Sequence, residues 1–484
     1  IRLPVERGII YDRNFVQLAM NITCESFFAV PESIKNHQQV ASRLSWILEK
    51  PIAKEDLLKS VSFVWIERQV EKPKADRLKS LELKGIYSQE ESKRVYPLRD
   101  LACDLLGFTN IDNKGLAGIE LAYDSILAGQ DGKAIFQKDA LGRGYQIKPY
   151  PIKPPQNGKS LILTIDSKLQ WILEAELQKA VDSIRAQAGM GIFINPYTCE
   201  ILASDYYQPG EKIAFKNRLI SDNFEPGSTF KIVTTAAALE EKIKKPEDLI
   251  YAEMGKYRIG KHIMHDVEKL GYITFREAVV HSSNIALSKV AKEVGRDLVY
   301  KYAKIFGFSE ATGIDLPGES KGFLSPPQRW PEIGLANIAI GQGVAVTPLQ
   351  LIRAYAAIAN RGILMKPYML KAILDENNDV IKEFHPSFVR RVVSPQTAQL
   401  LSEFLQEAVE SGTGQKAKFE EFSVAGKTGT AQKPKVGSRG YEDGKYMASF
   451  VGFFPTQNPQ MVGLILIDSP KGLHKGGLVA APVF

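Results

Sequence analysis

Near the C-terminus three apolar stretches follow in order: Ser423 to Thr430, Ala448 to Phe453, and Val462 to Ile467. Their short connections imply an antiparallel meander, because parallel neighbours need a long crossover, usually a helix. Further upstream, Gly191-Ile192-Phe193-Ile194, a turn at Asn195-Pro196-Tyr197-Thr198, and Ile201-Leu202-Ala203 read as a hairpin. Helical patterns surround these strands. Asp166 reads as the cap of a helix through Leu169, Ile172, Leu173 and Leu177. Thr347-Pro348-Leu349-Gln350 has capping-box spacing with proline at the first helical position. Ser394-Pro395 opens another helix, through Leu400, Leu401 and Leu405. The expected class is α+β, with helices packed on one antiparallel sheet.

At 484 residues the chain is too long for one ordinary core, so two or three domains are expected. Residues 1–157 are charged and mixed in pattern, with short apolar runs and no long amphipathic helix expected. The proline-rich stretch Pro149 to Pro155 leads into Asn157-Gly158-Lys159 and marks a domain edge. Residues 158–484 then open on a compact strand, Leu161 to Ile165. The net charge of +7 arises from 62 basic against 55 acidic residues. That suits an anionic polymer or a membrane surface, and an ordinary solvated surface equally; nothing in it calls for nucleic acid. Cys24, Cys103 and Cys199 are widely separated, so neither a disulfide framework nor a zinc site is indicated. The chain begins at Ile1 without a methionine and reads as trimmed, with room for a signal peptide or anchor ahead of it.

The segment that carries most chemistry is Glu225-Pro226-Gly227-Ser228-Thr229-Phe230-Lys231. Pro and Gly end the preceding structure, and the run from Phe230 through Ala238 is apolar enough for a buried helix. Ser228 then stands at the helix N-terminus, with Lys231 one turn further on the same side. A serine hydroxyl is a poor nucleophile until a base takes its proton, and a lysine whose pKa is lowered can be that base. By itself Ser-x-x-Lys is also an ordinary capping serine with a solvated lysine. Two later elements change the balance. Ser282-Ser283-Asn284 offers a second hydroxyl for proton relay and an amide able to hold a substrate amide. Lys427-Thr428-Gly429-Thr430, on the first meander strand, offers a cation and hydroxyls for a substrate carboxylate, and a glycine that admits a substrate backbone. Each alone reads equally as a polar helix start or an exposed edge strand.

Two decoys can be set aside. Ser221-Asp222-Asn223 spells a commoner form of the second element but precedes Ser228 in the chain, and reads as a turn. His265 and His281 suggest a Ser-His-Asp triad, yet no Gly-x-Ser-x-Gly surrounds a serine here.

Taken together and in this order, the three elements resemble those of the penicillin-binding protein and serine β-lactamase superfamily. Arg7-Gly8-Ile9-Ile10-Tyr11-Asp12-Arg13, Gly115 to Glu120, and Gly341-Gln342-Gly343-Val344 with Thr347 to Leu351 are similar to stretches of the class B penicillin-binding proteins. Pro326-Pro327-Gln328-Arg329-Trp330 and Ala481-Pro482-Val483-Phe484 are more similar to the cell-division branch than to the elongation branch, and an elongation-type transpeptidase is the alternative within the class. The resemblance implies a non-catalytic pedestal domain at 1–157 and a transpeptidase domain at 158–484. It implies a D,D-transpeptidase that cross-links peptidoglycan stem peptides, with Ser228 as nucleophile, Lys231 as base and Ser282 as relay. Asn284, Lys427, Thr428, Gly429 and Thr430 would bind substrate, and β-lactams would acylate Ser228. No metal or cofactor is implied. The implied partners are a membrane glycosyltransferase and division proteins, and the implied place is the outer face of the cytoplasmic membrane, on a single N-terminal anchor. A C-terminal helix beyond Phe484 is also expected, without which the sheet's outer face would lie open. A β-lactamase needs a deacylating base such as Glu-x-x-Leu-Asn, and Glu332-Ile333-Gly334-Leu335-Ala336 lacks the asparagine. A β-lactam sensor or a scaffold is the non-enzymatic alternative.

Overall fold

In the computed structural model, all residues are described except 1, 4, 61, 134–135, 139–143, 147–152, 211–215, 436 and 438–439. Strand β1 (Ile10–Tyr11) pairs with the start of a long strand, β2 (Gln17–Ala29), with Ile10 opposite Ala19. The remainder of β2 pairs with β3 (Val64–Val70) and β4 (Ile86–Val95) on either side. Helices α1 (His37–Leu48) and α2 (Lys72–Ser80) cover one face of these strands, burying Leu44, Ile47 and Leu78 against Phe27 and Val70. Helix α1 corrects the expectation that this half holds no long amphipathic helix. Val40, Ala41, Leu44, Ile47 and Leu48 do recur at helical spacing, and Asn36 caps the start by accepting from the Gln39 N–H at 3.0 Å. Trp46, 78% exposed, breaks the pattern as read from sequence.

The proline-rich segment lies partly outside the described residues. From Lys153 onward it bonds back to the first half, Lys153 exchanging backbone hydrogen bonds with Lys133, and Gln156 with Gln130. Strand β5 (Ser160–Leu163) follows and runs parallel to β1, Ile10 opposite Leu161. Asp166 caps α3 (Ser167–Ser183) as its position in the sequence predicts, accepting from the Lys168 and Leu169 N–H groups.

Beyond α3 come β6 (Ala188–Ile194), β7 (Ile201–Tyr207), α4 (Lys231–Glu240), the hairpin β8 (Lys256–Ile259) and β9 (His262–His265), and α5 (Asn284–Val294). Helix α6 (Pro348–Ala359) precedes β10 (Leu370–Leu374) and β11 (Val380–Glu383). Helix α7 (Pro395–Glu410) leads into β12 (Ala425–Pro434), β13 (Tyr441–Phe454) and β14 (Met461–Asp468). The expected capping box is present at α6, where Thr347 Oγ1 accepts from the Gln350 N–H and the Gln350 side chain accepts from the Thr347 N–H.

Five strands form an antiparallel sheet in the order β7-β6-β14-β13-β12, which contains the expected hairpin and meander. Strands β12 and β13 outrun their apolar cores, because a polar two-stranded ribbon continues them past Thr430. On one face α3 packs Leu173, Leu177 and Val181 against Phe193, Ile465 and Ile467, and Phe484 packs against Phe193 and Phe450. The other face carries α4 and α6. Helix α4 is buried from Lys231 through Leu239, as suits the middle of a large domain. A second sheet, in the order β11-β10-β5-β1-β2-β3 with β4 also on β2, takes strands from both halves of the chain. No helix of the described residues is long and apolar enough to cross a membrane.

Candidate active site

Ser228 lies in a 3-10 turn, Gly227–Phe230, that runs directly into α4. Gly227 takes φ +56, a left-handed conformation that glycine adopts without strain, and its N–H donates to Gly341 O at 3.1 Å. Inside the turn, Thr229 Oγ1 donates to Pro226 O at 2.7 Å. From α6 the fully buried Tyr355 donates its hydroxyl to Thr229 O at 2.9 Å. The turn is therefore clamped on two sides. Ser228 is half-buried, and its hydroxyl makes no hydrogen bond among the described residues.

Lys231, the first residue of α4, is 1% exposed. Its Nζ stands 2.6 Å from Ser282 O, 2.8 Å from Asn284 Oδ1 and 3.1 Å from Ser282 Oγ. Burial holds its pKa well below that of an ordinary lysine, the nearby Lys427 pushes it further down, and Asp266 opposes them. Nζ is thus within hydrogen-bond distance of three oxygens, and a neutral amine can donate to two of them at once. Ser282 sits at φ +58, uncommon for a residue with a side chain, and this turns its carbonyl onto Lys231.

The edge strand β12 closes the third side. A Cβ on Gly429 would fall 2.3 Å from Ser449 Oγ, 2.9 Å from Pro226 O and 3.0 Å from Thr229 Cγ2, so only glycine lets the strand lie this close to the serine turn. Lys427 is 1% exposed, its Nζ has no hydrogen-bond partner among the described residues, and burial brings its pKa down to about 7. Thr428 Oγ1 lies 2.9 Å from Thr413 Oγ1, and the exposed Thr430 accepts from the Gly476 N–H at 3.0 Å. The structure thus brings Lys231, Ser282 and Asn284 into one hydrogen-bonded group and packs the Ser228 turn against the Lys427–Thr430 strand, though these segments are far apart in the chain.

Ser221 of the upstream decoy donates to Asn217 O, while Asp222 pairs with Lys216 and Arg218, so that segment serves its own turn. His281 Nδ1 lies 3.6 Å from Glu268, away from any serine relay. The side chain of Glu332 lies outside the described residues. Three residues at the site escaped the sequence reading: Tyr355, Thr413 and Asp266. Thr413 carried a faint signal, a hydroxyl between two glycines just past α7. Asp266 carried none; it follows β9, distant in sequence from the groups it binds.

A five-stranded antiparallel sheet with a buried, lysine-headed helix behind its edge strand defines the penicillin-recognising class of serine transferases. Residues 189–484 match the Penicillin binding protein transpeptidase domain, and residues 2–163 match the Penicillin-binding Protein dimerisation domain. Stage V sporulation protein D of Bacillus subtilis is 36% identical over 99% of this chain and 76% of its own length. Peptidoglycan D,D-transpeptidase FtsI of Escherichia coli is 33% identical over 100% of this chain and 82% of its own. Among solved structures, Penicillin binding protein 3 of Mycobacterium tuberculosis complexed with aztreonam superposes with a TM-score of 0.78 at 28% identity, covering 100% of this chain and 95% of that one. The chain belongs to the class B penicillin-binding proteins.

Proposed function

We propose that this chain is a serine D,D-transpeptidase that cross-links peptidoglycan stem peptides through an acyl-enzyme on Ser228. The observation that carries the reading is the Lys231 amine, buried beneath the serine turn and within hydrogen-bond distance of both Ser282 and Asn284. Neutral Lys231 takes the Ser228 proton as Oγ attacks the carbonyl before the terminal D-alanine. Ser282 passes that proton to the departing D-alanine nitrogen. Asn284 holds the donor peptide's amide. Lys427, Thr428 and Thr430 receive its terminal carboxylate, and Gly429 lets its backbone lie along β12. The amine of a second stem peptide then attacks the ester, forms the cross-link and frees Ser228. β-Lactams acylate the same hydroxyl and leave no departing group to make way for the acceptor. We assign residues 1–157 to a non-catalytic pedestal and 158–484 to the transpeptidase domain.

The division-type relatives support a septal role, at the outer face of the cytoplasmic membrane beside a membrane glycosyltransferase and division proteins. A developmental role in spore-wall synthesis is the second reading, favoured by the 36% identity to a sporulation protein. Mass spectrometry of the penicillin-treated protein tests the chemistry. The expected adduct maps to Ser228 and disappears in Ser228→Ala, and the untreated enzyme releases D-alanine from a stem-peptide analogue. An adduct on another residue overturns the assignment.

A further inference from the structure

The second motif is Ser282-Ser283-Asn284, and its middle position holds a hydroxyl instead of a carboxylate. A carboxylate reaches the same place from elsewhere. Asp266, immediately after β9, accepts from Ser283 Oγ at 2.5 Å through Oδ2. Its Oδ1 accepts from the Asn284 N–H at 2.5 Å and the Ile285 N–H at 3.1 Å. The preceding residue completes the hold, since Asn284 Nδ2 donates to His265 O at 2.9 Å. With its backbone N–H and one of its two amide N–H groups engaged by this segment, Asn284 is held with Oδ1 on Lys231 and its second amide N–H left for substrate.

We propose that Asp266 is a positioning residue for acyl transfer, locking Ser282 and Asn284 against the Lys231 amine and bringing a negative charge near that amine. The inference rests on Ser228 being the nucleophile. Capping alone does not exhaust the role of Asp266. Ser283 caps α5 at the Ala286 N–H, 3.0 Å away, and Asp266 accepts from the Asn284 and Ile285 N–H groups of the same first turn, while its other oxygen holds the Ser283 hydroxyl. Asp266 adds a charge, and it adds it beside a buried lysine.

Two charged groups act on Lys231: Lys427 from β12 favours the neutral amine, and Asp266 favours the ammonium. The other polar neighbours, Ser282 and Asn284, are uncharged, and His281 of the same region faces Glu268. Lys231 must be neutral to act as base, so acylation falls on the acid side as it gains a proton. Asp266 moves that limb to higher pH, and removing its charge moves the limb to lower pH.

The test is the second-order rate of penicillin acylation against pH for the full chain and for Asp266→Asn, Asp266→Ala and Asp266→Glu. Folded fractions come from near-ultraviolet circular dichroism. In Asp266→Asn the acid limb should move down by half a pH unit or more, with the maximal rate lowered about tenfold. Asp266→Ala should share the displaced limb and lose more rate, and Asp266→Glu should restore the limb. An unmoved limb in folded Asp266→Asn overturns the proposal and leaves a helix cap. A Ser228→Ala control that still acylates would instead sink the assignment of the nucleophile, so the two failures are distinguishable.

Discussion

At the scale of single residues, the site is built from groups that the fold holds at a cost. Lys427 is the clearest case: fully buried, without a hydrogen-bond partner among the described residues, and with its pKa brought down from 10.5 to about 7. The sign of its effect on stability follows from linkage. Below pH 7 the lysine is protonated in both states and desolvated only in the folded one, so the full penalty is present. As pH rises from 7 towards 10.5 the penalty fades, because the unfolded chain then also loses the proton. Each tenfold change in proton affinity corresponds to about 1.4 kcal/mol, so Lys427→Met should stabilise the protein by a few kcal/mol at pH 6. The gain should shrink at pH 9.5, while penicillin acylation is largely lost. Urea unfolding at the two pH values, alongside labelling kinetics, checks both halves. A gain over wild type no larger at pH 6 than at pH 9.5 would contradict the origin given for the shift.

Between elements, the active geometry depends on how closely β12 approaches the serine turn. Gly429→Ala places a methyl against backbone at Pro226 as well as against the Ser449 hydroxyl. The hydroxyl can rotate away, but the carbonyl cannot, so strand and turn must part. A displacement of about 1 Å at a reacting centre costs on the order of 100-fold in rate. Stopped-flow acylation of Gly429→Ala should show a loss of that size, while the thermal midpoint moves by only a few degrees. Wild-type acylation would mean that the approach is not needed. These interlocked elements also explain what the sequence could and could not reveal. The meander, the capped helices and the three motifs were legible because each is encoded locally: apolar runs, caps such as Asp166 and Thr347, and signatures such as Lys427-Thr428-Gly429. Helix α1 was obscured by Trp46, which exposes a large ring inside an otherwise regular pattern. Asp266 and Tyr355 were illegible because their roles come from tertiary packing: Asp266 folds back from the β9 end onto residues 17 to 19 positions later, and Tyr355 bonds a residue 126 positions earlier.

For the whole molecule, the two halves are not strung on a flexible linker; they share a sheet and a core. Within the first half, Arg7 and Arg94 both bond the fully buried Glu120, at 2.7 Å and 2.6 Å, and Arg7 also reaches Asp124. Breaking a buried ion pair from one side costs about 3–5 kcal/mol. Glu120→Gln should therefore lower the unfolding midpoint markedly, measured calorimetrically, with acylation by the folded fraction unchanged. The coupling of the halves predicts more. Strand β5 opens the transpeptidase half yet pairs with β1, through Ile10 opposite Leu161 and Tyr11 opposite Ile162. Nearby, Asp12 accepts from the N–H and hydroxyl of Ser167 at the start of α3, and the Arg13 N–H donates to Ile165 O. One apolar cluster takes in Ile10, Leu18 and Ile119 together with Leu161, Leu163 and the core around α4 and α6. A chain of residues 158–484 alone would leave β5 as an open apolar edge, which is a template for aggregation. Expressed without residues 1–157, it should be prone to self-associate and unfold at lower temperature, even though every residue proposed for catalysis is present. Analytical ultracentrifugation and thermal unfolding of the two lengths decide this. A monodisperse 158–484 chain with the midpoint of the full chain would mean that the shared sheet contributes shape and little stability.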